Sequence, residues 1–323
     1  MIRFRFGHED LVRTRFAISP LFDLTWSTDA LRDPAHHSLH LPWVRAAQQR
    51  LEGLDYSLLD LLATSGNGYV PDFIAPPPST PLPDLEDELA RVRATPPERV
   101  AIEIGWRFRG GPVPEVVRPL LDDPERGLDE LTRVMAEYAE RAIAPWWTQI
   151  RAALEADIVH RARRLTAGGA IEVFDELHPN VHWRDGTLEV DRGPAHDVDL
   201  GGRGLLLVPA AFAWPEVFAM IDEPWQPALI YTPVGIGMLW APDEGCDLEA
   251  LEALLGRRRA GILATLGSPA TTTDLARRLG ASAAGVNEHL GILRRAGLVR
   301  AARDGRHVLY ERTPMGDALL RET

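Results

Sequence analysis

Over much of the first 168 residues, apolar positions recur every three or four residues. Leu21, Leu24 and Leu31 in SPLFDLTWSTDALRD keep that spacing, and PWVRAAQQRL, YSLLDLLAT and DLEDELARVRAT continue it. Each segment predicts a helix with one buried face. GLDELTRVMAEYAERAIAPWWTQIRAALEADIVHRARRL carries the period further, and Pro145 should kink or divide it because proline lacks the backbone donor. PDFIAPPPSTPLP, residues 71–83, holds six prolines and reads as an extended connector. At the N-terminus, IRFRF alternates as a short strand would. From about Gly169 the pattern changes. IEVFDEL, NVHWRDGTLEV, RGLLLVPAAF and PALIYTPVG are short β-like runs separated by Gly, Pro and Asp, and Asp185-Gly186 is a hairpin turn signal.

The C-terminal part is patterned more sharply. DLEALEALL and RRRAGILATLG are helical and divide or bend at Gly256. TTTDLARRLG has a threonine cap, Asp274 in its first turn and Gly280 as its stop. SAAGVNEHLGILRRAG starts on Ser282, carries an apolar stripe of Val286, Leu290 and Leu293, and ends at Gly297. LVRAARDGRHVLYERT then reads as strand, Asp304-Gly305 turn and strand. Thr313 and Pro314 open a last helix.

Two short helices on a tight turn, followed by a hairpin, predict a winged helix-turn-helix whose second helix enters the major groove. Off the apolar stripe lie Ala283, Ala284, Asn287, Glu288, Arg294 and Arg295, with His289 in the same helix. Asn suits adenine, and a carboxylate accepts from cytosine N4. Ser282, at a helix start, suits a phosphate. Thr272 and Thr273 open the preceding helix, and Arg303, Arg306 and His307 flank the wing turn, so all five join the expected DNA contacts.

The net charge of −12 argues at first against a nucleic-acid partner. Its distribution reverses that. Residues 256–323 carry twelve arginines against six acidic residues, which marks this end as the one that meets a polyanion. All nine Trp and all nine Phe precede it. The chain has no lysine, so arginine here is a bias of composition and no single Arg is read as chosen over Lys.

The stretch LARRLGASAAGVNEHLGILRRAGLVRAARDGRHVLYERT resembles the winged-helix core of ArsR-type bacterial transcriptional regulators, over about residues 250–320. EDLVRTRFAISPL, HLPW, LHPNVHW, RGLLLVPAAFAWP and YTPVG resemble an uncharacterised domain that precedes such winged helices in actinobacterial-type regulators. The resemblance implies a DNA-binding regulator. Asn287 and Glu288 depart from the hydroxyl and the basic or neutral polar residue common there, and Glu288 near phosphates would be repulsive. The metal sensors of that family carry a cysteine pair ahead of the recognition helix, or His and Asp ligands near the C-terminus. SPATTTDLARRL has no cysteine, so metal sensing does not carry over.

The remaining chemistry is sparse. His36, His37 and His40 form one loose group and His178, His182, His196, Asp197 and Asp199 another, and neither has a metal-ligand spacing. Cys246 is the only cysteine, which excludes an internal disulfide. There is no nucleophile elbow, phosphate loop or Rossmann glycine pattern, so no catalytic residue, metal or cofactor is assigned and no enzyme is expected. Trp106, Trp183, Trp214 and Trp240 are candidates to line an apolar pocket for a planar effector. MIRFRFGHED has no apolar signal region and no apolar run is long enough to span a bilayer, so a cytoplasmic protein is expected.

The expected fold is α+β. Residues 1–245 form a dimerisation and effector region, helical over 1–168 and β-containing over 169–245. Residues 246–323 form the winged helix. The expected function is a homodimeric regulator, a repressor, on an inverted-repeat operator in double-stranded DNA, controlled by a small molecule. Two rivals are a protein-docking module built on the winged helix, and a metal or redox sensor using the histidines and Cys246.

Overall fold

A computed structural model describes residues 1–64, 69–193, 195–240, 248–266, 269–304 and 307–320. The fold is α+β, in two compact units, residues 1–240 and 241–323. Asp304-Gly305, Arg306 and Cys246 fall wholly or partly outside the described residues, as does the side chain of His307.

The first unit begins with β1 (Ile2–Arg5), α1 (His8–Arg13) and β2 (Arg15–Phe16). Helices α2 (Pro20–Arg32), α3 (Leu41–Arg50), α4 (Ser57–Ala63), α5 (Leu85–Arg93), α6 (Pro97–Arg107), α7 (Pro119–Asp122), α8 (Pro124–Ala142), α9 (Trp147–Gly168) and α10 (Ala170–Phe174) follow. Strands β3 (Val181–Arg184), β4 (Thr187–Val190), β5 (His196–Asp199), β6 (Leu206–Pro209), β7 (Phe218–Met220) and β8 (Ala228–Tyr231) complete it. Pro145 lies in a short 3-10 turn between α8 and α9. There a proline costs no helical hydrogen bond.

Two four-stranded sheets form, in the orders β3-β4-β1-β5 and β2-β6-β8-β7. The central strands of the second, β6 and β8, are buried on both faces. Leu206, Val208, Ala228 and Ile230 pack into the helical core, while Leu207, Leu229 and Tyr231 pack into the core around β1, β3 and β4. A strand covered on both faces reads as an unbroken apolar run, which LLLVP and ALIY are.

Three expectations need correction. The sheets are not confined to residues 169–245, because β1 lies between β4 and β5 and β2 pairs with β6. IEVFDEL is not a strand. Residues 170–174 are helical, with Val173 and Phe174 buried on one side, because adjacent side chains share a helix face only where a helix turns both inward. The proline-rich stretch is not extended throughout. Residues 71–78 are buried, and a single 3-10 turn over Asp72–Ile74 places Phe73 and Ile74 in the helical core.

The second unit contains α11 (Leu248–Leu255), α12 (Arg257–Thr265), β9 (Ala270–Thr271), α13 (Thr272–Leu279), α14 (Ala283–Arg295), β10 (Val299–Asp304), β11 (His307–Arg312) and α15 (Pro314–Ala318). Its strands form one sheet in the order β10-β11-β9.

Candidate nucleic-acid interface

Helix α13 starts on Thr271, whose hydroxyl accepts from the Asp274 amide at 3.2 Å and donates to the Asp274 carboxylate at 2.7 Å. That meets one of the amide donors a first turn leaves unpaired. The Thr271 hydroxyl also holds the Asp274 carboxyl below its ordinary range. Gly280 ends the helix in the left-handed region, at φ 59° and ψ 35°, and the Ala281 amide returns to the Ala276 carbonyl at 3.0 Å. A side chain at that φ would be strained, so glycine is what lets the chain reverse within three residues. Ser282 then caps α14, accepting from the Gly285 amide at 3.2 Å.

Val286, Leu290 and Leu293 bury one face of α14 against Ile262 and Leu263 of α12, Leu275 of α13, and Val299 and Tyr310 of the hairpin. The hairpin is tied to the start of α13, because β11 pairs with β9 through Leu309↔Thr271 and Tyr310↔Ala270. The same sheet thus fixes the wing relative to the helix pair.

With three positions spent on the core, six others of α14 face outward. Ala283, Ala284, Asn287, Glu288, Arg294 and Arg295 are exposed. At about 100° per residue they span about 140° of the helix circumference. The apolar stripe lies outside that arc and adjoins it at Ala283. Thr273, Ser282 and Arg303 are exposed as well, and Thr272 is half-buried. Arg277 pairs with Asp274 at 3.1 Å, Arg300 with Glu311 at 2.8 Å and Arg312 with Asp317 at 2.7 Å. Arg294, Arg295 and Arg303 form no ion pair among the described residues. Their charge is therefore available to a polyanion.

A helix pair on a three-residue turn, a hairpin fixed beside it and an outward cationic face decide what this unit is, and sequence comparison agrees. Residues 257–301 match a family described as a helix-turn-helix domain. The C-terminal unit is a helix-turn-helix domain. The chain is accordingly a DNA-binding transcription regulator. Residues 105–236 match a family of unknown function (DUF5937). No curated protein and no solved structure matches the chain.

His289 does not join the outward face of the helix-turn-helix domain. It is half-buried and lies on the far side of α14, about 40° around the helix from Leu293, with Nδ1 shielded from solvent. Periodicity already distinguishes it from its neighbours at 287 and 288. The sequence reads Arg257, Arg258 and Arg259 together as a solvated helix face with a lesser case for touching DNA, and does not single out Arg258. A Cβ at Gly285 would stand 4.0 Å from Arg258 Nη1, so this guanidinium reaches the first turn of α14. Arg257 is engaged by Glu252 at 3.3 Å, whereas Arg258 has no ion pair among the described residues. The RRR run was the available signal, but a run does not say which member points toward α14.

The four tryptophans do not line one pocket. Trp106 packs edge-on to Tyr69 at 5.7 Å and beneath the Arg99 guanidinium at 5.2 Å. Trp183 stacks on Phe174 at 5.0 Å. Trp214 and Trp240 share a third place around His40, at 6.1 and 5.9 Å between ring centres. Burial, with the neighbouring His37 second, pushes the His40 pKa down to about 3. The neutral ring accepts from Trp240 Nε1 at 2.9 Å through Nδ1.

The other histidines are engaged separately. His36 lies 3.4 Å from Glu216, and His178 bonds the Pro215 carbonyl at 3.0 Å. Asp197 pairs with Arg3 and Arg5. Among the described residues no three His, Cys, Asp or Glu side chains converge as a metal ion would require. No helix among them is long and apolar enough to cross a membrane.

Proposed function

We propose that this chain is a cytoplasmic, homodimeric repressor that binds an inverted repeat through α14 and the wing. In this reading the N-terminal unit receives a small-molecule effector and has no catalytic role. The supporting observation is the exposed face of α14, where Ala283 and Ala284 allow close approach, Asn287 and Glu288 present base-reading groups, and Arg294 and Arg295 carry uncommitted charge. A two-fold dimer would present two such helices about one DNA turn apart, or a multiple of it. Effector control would act by shifting the population between two spacings of those helices.

The test is fluorescence anisotropy of DNA from the gene's own promoter against scrambled DNA of equal length, at two salt concentrations. Tight, salt-sensitive binding to the promoter DNA alone supports a specific regulator. Equal weak binding to both at every promoter fragment would leave the winged helix as a docking element. Transcription in a reconstituted assay separates repression from activation, and sedimentation of the DNA complex reads the dimer directly.

A further inference from the structure

Helix α9 buries Ile150, Leu154, Asp157 and Arg161 along one stripe, and the two charged residues are as buried as the apolar ones. Asp157 is fully provided for. Its Oδ2 accepts from the Tyr231 hydroxyl at 2.6 Å and from Arg161 Nε at 3.1 Å, and its Oδ1 accepts from the Val234 amide at 2.9 Å. Arg161 is not. Its guanidinium carbon lies 4.7 Å over the Tyr231 ring, and Nη1 and Nη2 are shielded from solvent without a hydrogen-bond partner. The Thr232 hydroxyl, one residue beyond Tyr231, is likewise shielded and unpartnered.

A guanidinium stays charged at any pH a protein survives, so the mismatch cannot be relieved by losing a proton. Buried donors of this kind have acceptors in nearly all proteins. Nε is spent on Asp157, which leaves the end-on pair Nη1 and Nη2. Two parallel donors in a plane match the two oxygens of a carboxylate.

We infer that Arg161 is the anchor of a binding site for a small monocarboxylate in the N-terminal unit. This rests on the reading of that unit as an effector receiver and supplies its ligand class. Asp157 and Arg161 cancel in charge, so the site offers one bidentate contact and no surplus of positive charge to hold a phosphate dianion. Tyr231 lies under the guanidinium, and Val234, whose amide is held by Asp157, is exposed on the segment that follows. That segment runs from β8 toward Trp240, the last residue of the unit. A ligand that alters the bonds among Arg161, Tyr231 and Val234 acts on the stretch of chain leading into the helix-turn-helix domain.

Isothermal titration of the full chain with benzoate, benzamide and inorganic phosphate tests the class. Saturable heat with benzoate alone is expected. No heat with benzoate, or equal heat with benzamide or phosphate, overturns the inference. Arg161→Lys keeps the charge and loses the fork, and should weaken benzoate by about tenfold or more. Should that variant fail to fold, crystals of the wild-type chain soaked in 4-bromobenzoate decide by bromine anomalous signal. A peak beside Arg161 supports the site, and a peak only elsewhere, or none, overturns it. Promoter-DNA anisotropy with and without benzoate is read separately. Benzoate bound at Arg161 with unchanged DNA affinity leaves the site standing and removes its effector role.

Discussion

Replacing Arg294 and Arg303 together by alanine should weaken DNA binding on every sequence and make it less sensitive to salt. Both side chains are exposed and neither has an ion pair among the described residues, so their removal costs the fold little. Each phosphate contact adds about 0.9 to the slope of log affinity against log salt. In the proposed two-fold dimer each contact is doubled, so the double variant would lose about four and its slope would be shallower by about 3.6. Doubling the salt from about 0.1 M should then cost the wild-type chain about tenfold more affinity than it costs the variant. Anisotropy titrations at four salt concentrations, on promoter and on scrambled DNA, measure this. Arg133→Ala is the control, because Arg133 lies in the N-terminal unit and is paired with Glu130 at 2.7 Å. Its slope should match the wild type. A variant that binds more weakly with an unchanged slope would refute phosphate contact by these two arginines. A slope change confined to the promoter would assign them to base reading instead.

Other outcomes follow from single contacts. Gly316→Ala sets a Cβ 2.2 Å from the Leu298 carbonyl oxygen, so the melting transition of the C-terminal unit should fall by an amount equivalent to about 1–3 kcal/mol, and an unchanged transition would contradict that packing. Ser282→Ala removes the cap of α14 and should cost about 1 kcal/mol in the same calorimetric assay, with DNA affinity falling in step. Burial raises Asp23 and Glu88 each to about 7, so between roughly pH 4 and 7 the folded chain holds protons that the unfolded chain releases, and stability falls as pH rises. His40, held down to about 3, opposes this below its ordinary value of 6.5, but it is one group against these two and Asp72 and Asp222, which burial also pushes up. Calorimetry of the N-terminal unit should therefore show a higher transition at pH 5 than at pH 7.5, and the reverse order would refute the assignment.

The helix-turn-helix domain was legible because its signals are local. Gly280, Ser282, Gly297 and Thr313 stop or start elements within a few residues, and the stripe Val286, Leu290, Leu293 needs only its own helix to be read. His289 shows how far that reading reaches, since its phase around α14 sets it apart from the contacts it was grouped with. Where partners are distant, the reading weakened. Neither IRFRF nor RF says that β1 will lie between strands 190 residues away, because sheet order depends on which edges remain after the helices pack. The tryptophans were counted correctly and grouped wrongly. Composition reports their number, while packing at three separate places decides their neighbours.

Asp157 and Arg161 mark the sharper limit, and also a signal that was present. An acid and an arginine four apart on a long helix read as a solvated ion pair, the commonest use of that spacing. Yet 150, 154, 157 and 161 fall in one phase, and the first two are Ile and Leu. Charges that continue an apolar stripe cannot be on the solvent face unless the helix changes its packing partner. The partner here is Tyr231, whose hydroxyl donates to Asp157 from the end of β8. A strand buried on both faces must still end somewhere, and where it ends the polar groups of its last residues need partners inside the protein. Asp157 meets that need for the Tyr231 hydroxyl and the Val234 amide, and Arg161 neutralises Asp157 through Nε. The two nitrogens left over follow from that chain of requirements, which is why the ligand-binding inference is placed there and not at the tryptophans.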